Sequence, residues 1–160
     1  MVLNIAYFFL IGTLFFVLYY DIKKRTIHFI LPLLIFFLAT LINYMSISLR
    51  LSDIVYNISF VLINIFGVTL YFSLKAKALV NPVNDSIGLG DIVFFIAITP
   101  LFNLKTFILF FIIGLLFSLL IHGIALLFKK AKTIPLAGYL SLFLVISLLM
   151  KNVFNINITL

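Results

Sequence analysis

At 160 residues, 66% hydrophobic and 9% charged, the chain carries too little polar surface to coat a water-soluble globule, whose charged share is about 25%. Eleven Lys and Arg stand against four acids, all Asp, for a formal charge of +7, and the absence of cysteine excludes disulfides, thiolate metal sites and cysteine nucleophiles. The composition is that of an integral membrane protein, and the expected fold is all-α, a single membrane-embedded domain over residues 1–160 with six transmembrane helices.

A helix needs about 20 apolar residues to cross the hydrocarbon core. Six runs are candidates, at roughly 2–20, 29–48, 54–74, 92–104, 106–128 and 136–150. The first opens on Val2-Leu3-Asn4-Ile5, without a basic region or a small-residue cleavage site, so it is expected to stay as a span rather than be removed. It closes on Tyr19-Tyr20-Asp21 and the basic Lys23, Lys24 and Arg25. Asp53, near Arg50, reads as a surface acid or an N-cap for the third run. A polar, turn-forming stretch, 81–86, follows that run and gives Asp85 a solvated or Asx-turn role. The fourth run opens at Gly88-Leu89-Gly90-Asp91 and contains Pro100, which lacks a backbone donor and predicts a kink or an end to the helix. The fourth and sixth runs are short. With no Trp, an interfacial aromatic belt falls to Tyr, and Tyr19, Tyr20, Tyr44 and Tyr71 sit near run ends.

Lys and Arg set the expected orientation, because short cytoplasmic loops retain positive charge. The loops after runs one, three and five hold eight of them, Lys23, Lys24, Arg25, Lys75, Lys77, Lys129, Lys130 and Lys132; the other side holds Arg50, Lys105 and Lys151. Both termini are therefore expected outside a cytoplasmic membrane, with the odd-numbered loops in the cytoplasm. The bilayer is the partner this charge implies. Nucleic acid is not, since the basic residues are split among three short loops.

Each of two aspartates has a plain structural reading. Asp21 can be an interfacial acid neutralised by Lys23, Lys24 and Arg25, in a helix C-terminal position that the macrodipole mildly disfavours. Asp91 can be an N-cap. The pair says more, because the topology, counted without either acid, brings both to one face. Two carboxyl groups held close share a proton and can activate water against a peptide carbonyl. Gly88 and Gly90 are expected to let a substrate strand approach the backbone beside Asp91.

At these residues the chain resembles the prepilin peptidase family of membrane aspartic proteases. Members carry a catalytic Asp followed after five residues by Ile-Pro, matched here by Asp21 through Ile27 and His28, and a second Asp in Gly-x-Gly-Asp, matched by Gly88 through Asp91. A third block, Lys132 through Leu140 with Ile134-Pro135 and Gly138, is similar to the family's entry into its last helix. His28 stands where many relatives have Pro, Val93 where a Lys is frequent, and Gly138 where a second Pro is frequent. The resemblance implies a six-helix core, Asp21 and Asp91 as catalytic residues, Gly88 and Gly90 in substrate binding, and no cofactor. It implies substrates that are pilin-like precursors, with a basic leader and an apolar helix, cut at the cytoplasmic face. The larger members' cysteine-rich methylating domain has no counterpart here.

Rival readings are a small transporter or non-catalytic assembly scaffold, and a protease of the presenilin or signal peptide peptidase type, whose acids lie on consecutive helices with a Pro-Ala-Leu motif that does not occur here. Transport predicts ionisable groups near mid-membrane, whereas both acids sit at run ends. His28 and His122 are too far apart and too few to predict a metal. Asn43, Ser59, Asn64, Thr69, Gly114 and Ser118, all within spanning runs, are expected to serve helix contacts, with a substrate groove as the functional alternative between which the sequence does not choose.

Overall fold

The structure is a computed structural model describing residues 2–46, 50–77, 88–128 and 134–154, with side chains described except at 128 and 151–154. Asp85 and Lys132 lie outside the described residues. Every described element is helical: α1 Val2–Lys24, α2 Ile30–Ser46, α3 Leu51–Ala76, α4 Leu89–Ile98, α5 Leu104–Phe128 and α6 Leu136–Phe154, with a 3-10 turn at Thr99–Leu101 between α4 and α5. Apolar runs fold this way because a helix satisfies its own amides and carbonyls, which hydrocarbon cannot do. Three helices, α1, α3 and α5, are long and apolar enough to cross a membrane. The other three are shorter, and α4 with its turn reaches about 21 Å, less than the ~30 Å of a bilayer core.

Local chemistry fixes the ends. Arg25 and Lys77 take left-handed backbone, φ 57° and 51°, and stop α1 and α3. The N-cap of α3 is Arg50 and that of α4 is Gly88, so Asp53 and Asp91 each fall in a first turn, three residues past the cap. Neither is the N-cap that a sequence reading offers. Their carboxylates still suit the positive end of the dipole.

The helices α1, α2, α4 and α6 share the core through Leu10, Leu14, Ile35, Ala39, Phe94, Ile98, Leu140 and Leu144, all fully buried. A chain of rings joins α3, α4 and α5 to it: Phe60 to Phe111 at 5.3 Å, Phe111 to Phe95 at 4.8 Å, and Phe110 to Phe143 of α6 at 5.3 Å. Between α5 and α6, Gly114 lets Leu140 approach so closely that a Cβ would meet its Cδ2 at 2.7 Å. The outside is as apolar as the inside, with Phe8, Phe29, Leu74 and Leu127 at least 70% exposed. The helix α3 is peripheral and buries Asn57 and Val61 alone.

Pro100 ends α4 as the sequence predicts. The carbonyls that the break leaves without helical donors are met from neighbouring helices. Asn57 Nδ2 of α3 donates to Thr99 O at 3.1 Å and Phe102 O at 2.8 Å, and Asn43 Nδ2 of α2 donates to Pro100 O. Asn103 then opens α5, its Oδ1 accepting the Thr106 amide at 3.0 Å. Asn43 and Gly114 thus serve contacts between helices. Ser59, Asn64, Thr69 and Ser118 instead donate to the carbonyl four residues back in their own helices, because that acceptor lies within reach of a short side chain on any helix.

Candidate active site

Three helix ends meet at one place: the last turn of α1, the first turn of α4 and the first turn of α6. Pro135 and Leu136 start α6 and leave the amides of its first turn without helical partners, as at any helix N-terminus. Two of these amides are taken by carboxylates. Ala137 N donates to Asp91 Oδ1 at 2.9 Å, and Gly138 N donates to Asp21 Oδ2 at 2.7 Å. The donors are consecutive residues, whose Cα atoms are about 3.8 Å apart. Both acids are therefore gathered on one turn of α6, although 70 positions separate them in the chain.

This arrangement explains how Asp21 is tolerated at the negative end of α1. The dipole there costs about 0.3–1 kcal/mol, whereas a hydrogen bond to a charged acceptor contributes about 1.5–3 kcal/mol. The carboxylate also faces the positive end of α6, so the amide offsets the dipole, with the cost of burying the acid set against both. Asp21 is 7% exposed. Asp91 is half-buried.

Glycine makes room where these groups close on one another. A Cβ on Gly138 would lie 3.2 Å from Asp21 Oδ2 and 3.3 Å from Asp21 Cβ, so even a methyl there would press on the acid and displace it by a few tenths of an ångström. A Cβ on Gly88 would meet Asp91 Oδ2 at 2.9 Å, and one on Gly90 would meet Ile27 Cδ1 at 3.0 Å. The room at Gly88 and Gly90 is thus used by the chain's own Asp91 and Ile27, and Gly88 itself is exposed. Ile27 belongs to the segment just past Asp21, which therefore rests against the first turn of α4.

Both predicted acids and both predicted glycines lie at this junction. Sequence reasoning missed the two amides and noted Gly138 merely as a replacement for Pro. The signal available was a glycine three residues after Pro135 at a helix start, where a bare backbone can be approached. His28 stacks edge-on against Tyr20 at 5.6 Å. His122 is buried, its ring 6.5 Å from that of Tyr139, with no hydrogen-bond partner for Nδ1 among the described residues. No group of three His, Cys, Asp or Glu able to hold a metal occurs among the described residues.

In comparisons with known proteins, the chain matches no family model, no curated protein and no solved structure.

Proposed function

We propose that the chain is a membrane aspartic endopeptidase of the prepilin peptidase type, with Asp21 and Asp91 as its catalytic pair. One observation carries the reading: two acids from distant helices accept hydrogen bonds from consecutive amides of a third. A surface acid or a helix cap needs no such convergence. In this reading all six helices cross the membrane, both termini lie outside and the junction faces the cytoplasm. The short α4 is accommodated because Asn43 and Asn57 satisfy the backbone where it stops.

The pair holds one proton at working pH, and its titration belongs to both carboxyl groups together. The ionised member takes a proton from water as the water oxygen attacks the scissile carbonyl. The protonated member gives its proton to the carbonyl oxygen. Collapse of the tetrahedral intermediate breaks the C–N bond: the proton held by the first acid passes to the leaving amine, and a hydroxyl proton of the intermediate returns to the second acid, restoring the pair with its one proton. The amides of Ala137 and Gly138 each fix one carboxyl oxygen, so that both acids are presented to water and substrate on one turn of α6. An extended substrate strand reaches the pair past the exposed backbone of Gly88, while the space a Cβ would fill there is kept for Asp91. Substrates are pilin-like precursors with a basic leader and one apolar helix, cut where the helix emerges from the membrane, and no cofactor takes part.

The test is co-expression of Asp21→Asn or Asp91→Asn with a pilin-like precursor, following leader removal by the shift in precursor mass. Both variants are expected to insert and to leave the precursor uncut. Near-normal processing by either one refutes the pair.

A further inference from the structure

The end of α4 opposite Asp91 carries a second polar joint, and the chemistry proposed above makes no use of it. Asn57 is fully buried on α3, a helix that otherwise buries one valine. Its carboxamide donates twice, to Thr99 O at 3.1 Å and Phe102 O at 2.8 Å, spanning the 3-10 turn from both sides. Its Oδ1 has no partner among the described residues. Turning the amide over would set that oxygen against two carbonyl oxygens, so the hydrogen-bond pattern assigns the orientation. Donation is what this side chain supplies. Asn43 supports the same turn from α2 through Pro100 O.

From Asp91 to Thr99 is eight residues of nearly continuous helix, a rod about 12 Å long. Such a rod moves as one body. Where its far end is held, the height of its near end is held too.

We infer that Asn57 is a positioning residue for Asp91, fixing through the Thr99–Phe102 carbonyls how far α4 advances toward the first turn of α6. The role of Asp91 in cleavage rests on the proposed function; the placement of α4 does not. Removing the two donors leaves the carbonyls of the break bare, and the turn is expected to shift or unwind to find other partners, carrying Asp91 from the Ala137 amide.

The chain has no cysteine, so two introduced cysteines can be spin-labelled selectively. Ile22→Cys on α1 and Leu89→Cys on α4 are suited, both positions being exposed and each next to or near one acid. Pulsed electron paramagnetic resonance on the full chain in lipid nanodiscs then reads the distance between α1 and α4. With Asn57→Leu the distance is expected to move by at least about 1.5 Å, one residue of helix rise, or to broaden by as much. In the unlabelled chain leader removal is expected to fall about 10- to 100-fold, in kcat rather than KM. Asn64→Leu, which removes a donor serving only Phe60 O of its own helix among the contacts described, should leave both readings at wild-type values. Asn43→Leu removes one donor to the same turn and should shift the distance less, which keeps the test open if Asn57→Leu does not accumulate.

An unchanged distance in Asn57→Leu overturns the inference, whether cleavage is kept or lost, since loss without movement makes Asn57 a stabilising residue only. If the wild-type chain cuts no precursor, the proposed function fails while the distance still decides the placement of α4.

Discussion

At its first turn α4 offers a carboxylate to amides; at its last it offers carbonyls to carboxamides. Both joints tie a short helix into an apolar bundle, and both use backbone that a helix end leaves unpaired. They differ in what they can do. Asn43 and Asn57 are neutral, do not titrate and are aimed at their own chain's carbonyls, so that joint holds shape and nothing else. Asp21 and Asp91 are acids sharing one helix turn, one of them half-buried, so their joint can take and give a proton. Polar groups inside an apolar helix bundle are therefore not equivalent evidence of function. What separates them is whether the group titrates and whether a second titrating group is beside it.

The comparison is broken most directly at the acids. Asp21→Asn and Asp91→Asn keep size and should lower leader removal by at least about 10²–10⁴-fold, read from precursor mass; the Asn57 variant, at the opposite joint, should cost less. Next comes Gly138→Val. Its Cβ would press on Asp21 at 3.2 Å from Oδ2, so cleavage should drop about 100-fold while the protein still inserts.

A pH series sharpens the contrast. In Asn57→Leu, leader removal should fall in rate yet keep the wild-type pH profile, since nothing titrates at the far joint. The smallest effect is expected away from both joints. Gly114→Leu overfills the contact with Leu140 and should cost about 1–3 kcal/mol of stability, with cleavage per folded molecule unchanged.

Much of this was open to a reader of the sequence. Helix type follows from apolar runs that can do little else in lipid, and the stop at Pro100 follows from a missing donor. Asp91 near a helix start was signalled by the flanking glycines. Other features were hidden for physical reasons. The amides of Ala137 and Gly138 belong to the backbone, which carries no identity in a sequence, so their part in gathering the acids could not be read. Asn57 is one polar residue among several in apolar helices, and nothing local tells an asparagine that reaches another helix, as Asn57 does, from one that bonds its own, as Asn64 does. Asp53 and Asp91 fell one turn inside their helices because each helix starts earlier than its apolar run.

The donors at the junction are main-chain N–H groups. A survey that trims side chains to alanine would register the two acids, and at Gly138 a methyl pressing on Asp21, but would pass over the other donor, since Ala137 would be its own replacement. Only a change that deletes the amide itself, by proline or by a backbone ester, reaches that half of the arrangement.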